Sequence, residues 1–300
     1  MTRFGLVQTT LALLASTLAA AEAQAGPNDF RLNARTPDGG VLFAEQGDNF
    51  ASRDDQWQAL IGELAYVFAP RLATPAETLG HAGFHTDILW SGTFVSNDQN
   101  YWRVTERAQE GGAPVGVLQT LQLDVRKGLP FSFEVGVNLV WLVESELFAP
   151  GLEVRWAIHE GYDLAPDLGL RGSVSHVVGN RDLNMTVIGL DAVLSRSFGV
   201  AGMVNIGPYV SYSLLMVAAS SRVLDPTPTD AADVDKNLVL PSINPGDGLQ
   251  HKLTVGSRFL FSLFNLSVQG EVEMLRDEPN GKTRIFGPVF TLSTKLGLDY

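Results

Sequence analysis

Three features of the sequence predict an all-β fold, an antiparallel transmembrane β-barrel of twelve strands. Apolar and polar residues alternate with period two from residue 57 to the last residue. Most alternating runs last about ten to fifteen residues, the length a tilted strand needs to cross a bilayer. The chain also opens on a segment that reads as an export signal. After that segment there is no uncharged apolar stretch of about 18 residues, so no helix is predicted to span a membrane.

The signal occupies residues 1–25. Arg3 supplies a short positive region, Leu6 to Ala20 an apolar one, and Ala23-Gln24-Ala25 a small-x-small cleavage site. The apolar run is too short for an anchor and contains Gln8, Thr9 and Thr10. Residues 26–300 then form one exported barrel domain. Lys and Arg number 21 against 33 Asp and Glu, a net charge of -12, which argues against a nucleic-acid partner because phosphate binding needs a basic surface. The chain has no cysteine, which excludes disulfides, thiolate metal sites and a thiol nucleophile.

The strands can be read in order. Phe84, Thr86, Ile88, Trp90 and Phe94 alternate with His85, Asp87, Ser91 and Thr93, and Val117, Leu121, Leu123 and Val125 oppose Thr120, Gln122, Asp124 and Arg126. Phe131 to Val143 alternates on odd positions, and Leu152, Val154, Trp156 and Ile158 oppose Glu153, Arg155 and His159. Leu266, Val268, Val272 and Met274 oppose Ser267, Gln269, Glu271 and Glu273. The chain ends on Leu292, Leu296, Leu298 and Tyr300 opposite Ser293, Lys295, Gly297 and Asp299. Weaker copies over about 57–69, 168–178, 184–196, 202–216 and 250–262 bring the total to eleven strands.

A soluble sandwich would point the apolar faces inward and use shorter strands, commonly about five or six residues. The observed lengths favour apolar faces turned to lipid. On this pattern the chain resembles Gram-negative outer-membrane β-barrel proteins. Residues 291–300 resemble the terminal strand that such proteins present to the barrel-assembly machinery, with Tyr300 where Phe is usual. The resemblance implies residence in the cell outer membrane, contact with its lipids and lipopolysaccharide, and an assembly signal carried by Leu296, Leu298 and Tyr300. It reaches no named porin, transporter or enzyme subfamily.

Bacterial barrels have an even strand count, with short periplasmic turns and longer external loops. A twelfth strand is therefore expected before residue 57, within 30–45, although Pro37, Gly39 and Gly40 interrupt that stretch. Two connections break the length rule: 179–183 is short yet external, and 70–83 is long yet periplasmic.

With apolar faces outward, Asp87, Asp124, Arg126, Glu134, Arg155, Arg171, Asp191, Arg258, Glu271 and Lys295 are candidates to line the lumen. Two readings follow. A charged constriction would select small solutes, making the protein a passive channel or transporter. Alternatively, paired charges fill the interior of a non-conducting structural or surface-binding barrel. Twelve strands lie between the filled barrels of about eight and the open ones of about sixteen. Tyr66, Phe68, Trp90, Trp141, Trp156, Tyr212 and Tyr300 fall on the lipid faces, where rings favour the membrane boundary.

Signals for enzyme chemistry are slight. A third reading, an outer-membrane lipid-modifying enzyme, needs a serine and a histidine within reach near the membrane boundary; Ser173 or Ser175 with His159 across neighbouring strands is geometrically possible, and no catalytic residue is assigned. The acidic loop over 218–249 contains Asp233, Asp235 and Asn237, the opening spacing of a calcium loop, but Leu238 stands where glycine is required. No metal or cofactor is predicted. That loop, with Pro226, Pro228, Pro241 and Pro245, reads as a solvated external segment able to fold into the barrel mouth or meet a partner.

Overall fold

The structure is a computed structural model that describes residues 25–34, 42–43, 50–161, 165–225, 237–247, 249–277, 283–285 and 287–300. Apart from Ala25, the export signal lies outside them, as do Asp233, Asp235 and most of the stretch 35–45. The strands are β1 (Phe84–Phe94), β2 (Val117–Leu129), β3 (Phe133–Leu142), β4 (Phe148–His159), β5 (Asp167–Val177) and β6 (Leu183–Ser195). They continue with β7 (Phe198–Val200), β8 (Val204–Ser221), β9 (Gln250–Phe261), β10 (Phe264–Asp277), β11 (Thr283–Ile285) and β12 (Phe290–Asp299). One 19-residue helix, α1 (Phe50–Phe68), precedes them.

The sheet closes on itself. Neighbours pair antiparallel from β1 through β6, then β8, β9, β10 and β12, and β12 returns to β1 over the register His85↔Asp299 to Phe94↔Phe290. Ten strands form the ring, not the twelve expected, while β7 and β11 are three-residue arms on β8 and β10. Two of the expected strands fail. Residues 57–69 belong to α1, and in the 30–45 stretch the described residues hold only an isolated bridge, Phe30↔Thr105.

Turns 130–132, 160–166 and 262–263 mark one end of the barrel together with Tyr300; connections 95–116 and 222–249 mark the other. The long-loop end is the external one. The long connection that looked anomalous, 70–83, is explained by its route: it descends through the lumen to reach β1.

The outer wall is apolar along its whole height. Ile88, Val137, Leu152, Leu190, Val255 and Leu296 are all exposed. Two rows of paired rings bound it. Phe94 packs on Phe290 and Trp141 stacks on Phe148 at the external side, and Phe84 packs on Tyr300 and Phe133 stacks on Trp156 at the periplasmic side. Ten residue steps from Phe84 to Phe94 at about 3.4 Å each, tilted about 40°, place these rows about 26 Å apart, the height of a hydrocarbon band. Trp90, Trp156, Tyr212 and Tyr300 are exposed on this wall, with Trp141 half-buried there. Tyr66 and Phe68 are not, because both are buried on α1 inside the ring.

Candidate functional site

The lumen is filled by the chain's own N-terminal part. Every residue from 60 to 76 is buried. Trp57, Leu60, Ile61, Leu64, Ala65 and Phe68 recur at helical spacing, while Val67 and Tyr66 cover the remaining faces, so apart from Glu63 the C-terminal half of α1 is apolar on every side and suits an enclosed position. The wall answers it. In the external half, the inward positions Leu118, Val140, Leu142, Met185, Val187 and Val217 join α1 in one apolar cluster. The helix ends where Pro70 follows, since a residue before proline is pushed from helical to extended geometry.

Below α1 the segment 69–79 is neither helix nor strand and bends at Ala73 (φ 40°), with no strand paired to it to take its backbone groups. Wall side chains take them instead. Ser175 donates to Phe68 O (3.0 Å), Arg171 to Pro70 O (2.9 Å) and Arg155 to Pro75 O (2.7 Å). Gln122 both accepts from Arg71 N (2.9 Å) and donates to Arg71 O (3.2 Å). Ser195 accepts from Ala76 N, and Glu134 from Leu79 N. Two prolines in this strap reduce the number of N–H groups that must be satisfied. At Gly169 a Cβ would stand 3.2 Å from Ala76 O, so that wall position has little room for a side chain beside the strap.

All ten candidate lumen residues point inward and are close to this strap or to each other. Register aligns Glu134, Arg155, Arg171 and Asp191 in one row across β3 to β6. Arg155 donates to Glu134 (3.1 Å), and Arg171 reaches both Glu153 (2.7 Å) and Asp191 (3.1 Å). Arg126 donates to Glu134 (3.0 Å) and stands 3.7 Å from Glu153 across Gly136. A Cβ at Gly136 would come within 2.7 Å of Arg126 and 2.9 Å of Glu153, so glycine lets this pair approach over β3. Asp124 accepts from Gln122 (2.7 Å), and Lys295 faces Asp87 at 3.4 Å. Glu271 binds Lys252 (3.2 Å) and faces Arg71 of the strap (3.7 Å), while Arg258 holds Glu77 (2.6 Å). His85 sits between Asp87 and Asp299 at the periplasmic end.

An external cap closes the other end. Glu63 on α1 is fully buried and accepts three hydrogen bonds from the β1–β2 connection: Tyr101 Oη (2.6 Å), Trp102 Nε1 (2.8 Å) and Ser96 N (3.0 Å). Residues 26–34 lie over the rim, with Asn28 N donating to Glu144 O, Glu146 N to Asp29, and Arg31 N to Val104 O. The 222–249 connection folds inward far enough for Pro241 O to accept from Trp57 Nε1 (3.0 Å). Shortly before β9, Asp247 accepts two 2.8 Å hydrogen bonds from Asn244, which hold its carboxyl below the usual carboxylate range.

Replacing Glu63 by leucine leaves two buried donors, Tyr101 Oη and Trp102 Nε1, and the partly buried Ser96 N–H without an acceptor, a loss of about 3 kcal/mol or more. Trypsin added to intact cells is expected to cut at Arg103 or Arg107 about tenfold faster in that variant. Unchanged cleavage would mean that Glu63 does not hold the cap.

The serine–histidine pairing is not formed. Ser175 is committed to Phe68 O, and His159 lies opposite Leu168 while Ser173 lies opposite Glu153, far along the same strands. The sequence pattern already turns Glu63 and Gln122 inward, but it reveals neither α1 nor Arg71, although the spacing of Trp57, Leu60, Ile61, Leu64 and Phe68 carries the helical signal.

A closed ring, a hydrocarbon-facing wall and two aromatic rows together define an outer-membrane β-barrel protein. No protein-family model and no curated protein sequence matches the chain. Among solved structures it is similar to the N-terminal β-barrel domain of Pseudomonas aeruginosa OprF, with 10% identity over 72% of this chain and 97% of that one and a TM-score of 0.28. It is similar to the translocator domain of the autotransporter NalP from Neisseria meningitidis, with 11% identity over 84% and 97% and a TM-score of 0.37. A third is the outer membrane protease OmpT from Escherichia coli, with 10% identity over 73% and 96% and a TM-score of 0.32. Similarity of that size leaves the role of this chain to be argued from its own residues.

Proposed function

We propose that this protein is a closed, non-conducting outer-membrane barrel that acts through its external cap as a structural or surface-binding element. The observation that carries this reading is the apolar upper lumen. A water-filled channel needs a polar interior, whereas here Leu118, Val140, Met185 and Val217 turn apolar side chains inward onto α1. A plug that slid away would leave that surface wet, so α1 belongs to the folded core instead of acting as a removable gate. The lower charges are engaged with each other or with the strap, so they complete an interior and do not line a path. No catalytic role is assigned to any of them.

Purified full-length protein in a planar bilayer is expected to show no steady conductance. Reproducible ohmic openings would overturn the reading and restore a channel for small solutes. That second reading has one observation in its favour: Ser91, Ser293, Ser267, Asn265 and Gln269 form a polar strip inside β1, β12 and β10. Lipopolysaccharide around the external rim, and the assembly machinery acting on Leu296, Leu298 and Tyr300, are the partners we assign to the wall.

A further inference from the structure

The apolar outer wall carries an indentation. Between β4, β5, β6 and β8 a groove of about 420 Å³ opens outward. Its floor is Gly172 and Ala192, and Trp156, Leu170, Leu190 and Tyr212 rise around it. Pairing explains the shape. Gly172 stands opposite Leu190, and Ala192 is flanked by Leu170 on one strand and Tyr212 on the next, so two small side chains sit among four large ones.

The groove has a defined depth in the membrane. Trp156 belongs to the periplasmic aromatic row through its stack on Phe133, and Leu170 is near the periplasmic start of β5. The leaflet at this level is the phospholipid one. Directly below, one residue past the end of β6, Arg196 is exposed, with its guanidinium over the Phe198 ring at 5.6 Å. Four residue steps from Ala192 to Arg196 span about 13 Å, so the cation stands at headgroup level when the groove lies among acyl chains.

We propose that this groove and Arg196 form a binding site for one anionic phospholipid of the periplasmic leaflet, with an acyl chain on Gly172 and Ala192 and the phosphate on the guanidinium. The apolar lining suits a saturated chain. Arg196 supplies charge complementarity to a phosphate, and the depth matches the phospholipid leaflet and not the opposite one. The site is independent of whether the lumen conducts.

The test uses the full-length protein in detergent, incubated in turn with phosphatidylglycerol, phosphatidylethanolamine and lipid A, with bound lipid read by native mass spectrometry. One phosphatidylglycerol per barrel is expected. The double variant Gly172→Leu/Ala192→Leu fills the floor and should lower retention about tenfold. Arg196→Gln should abolish the preference for phosphatidylglycerol over phosphatidylethanolamine. Both changes face lipid, and a Cβ at Gly172 meets only Leu190 at 3.8 Å, so heat-modifiable mobility should persist. If the double variant loses that mobility, Gly172→Leu alone replaces it. Wild-type retention by the groove-filled variant, preference for lipid A, or a second barrel in place of lipid would each overturn the site.

Discussion

Replacing Arg171 by methionine is expected to lower the unfolding free energy by about 3–5 kcal/mol, because removing one partner of a buried ion network strands the others. Three groups depend on this guanidinium: Glu153 at 2.7 Å, Asp191 at 3.1 Å and the Pro70 carbonyl at 2.9 Å. The first two are wall carboxylates and the third is the strap, so the residue ties occupant to container. Urea titration of protein refolded in detergent, followed by heat-modifiable mobility, measures the change as a lower midpoint. Arg171→Lys keeps the charge but has no planar fork to serve three acceptors, so it should fall between the parent and the methionine variant. A midpoint unchanged in both variants would show that the strap is held in some other way.

Trp57→Ala should produce a loss of similar size, about 3–5 kcal/mol, as for other large buried aromatics cut to alanine. Trp57 is fully buried near the top of α1, packs edge-on against Phe43 at 6.2 Å, and donates its indole N–H to Pro241 O. Trp57→Phe retains most of the ring but not the donor, so it isolates the hydrogen bond, about 1 kcal/mol. Titration midpoints for the two variants separate packing from capping. If Trp57→Ala refolds with the parent's midpoint, α1 contributes no core.

Ten of the strands were legible because a wall facing lipid on one side must alternate, and the alternation survives in β1, β2, β5 and β12 almost residue for residue. The inward parity of Asp87, Arg126, Arg171 and Lys295 follows from the same rule. What they touch did not, because pairing across strands depends on register, and register lies in hydrogen bonds that a single strand's pattern does not encode. The enclosed helix is hard to read for another reason: the stretch 57–68 is apolar enough to match both periods, so periodicity alone does not separate a helix from a strand there. A second clue lay in the wall itself. Leu139 to Val143 and Leu214 to Ala219 lose their alternation and run apolar on both faces, as strands covered on both sides do.

The route of the N-terminal segment imposes an order on biogenesis. Asn28 is bonded at the external β3–β4 turn, Gly83 lies at the periplasmic rim beside Gly128, and the ring closes around residues 60–76 between them. A chain delivered from the periplasm reaches this arrangement only if that stretch travels outward through the enclosure, or if the β1–β12 seam zips shut around it. Wall and contents are therefore related like a bead and its thread: either the thread is drawn through the finished bead or the bead is closed around it.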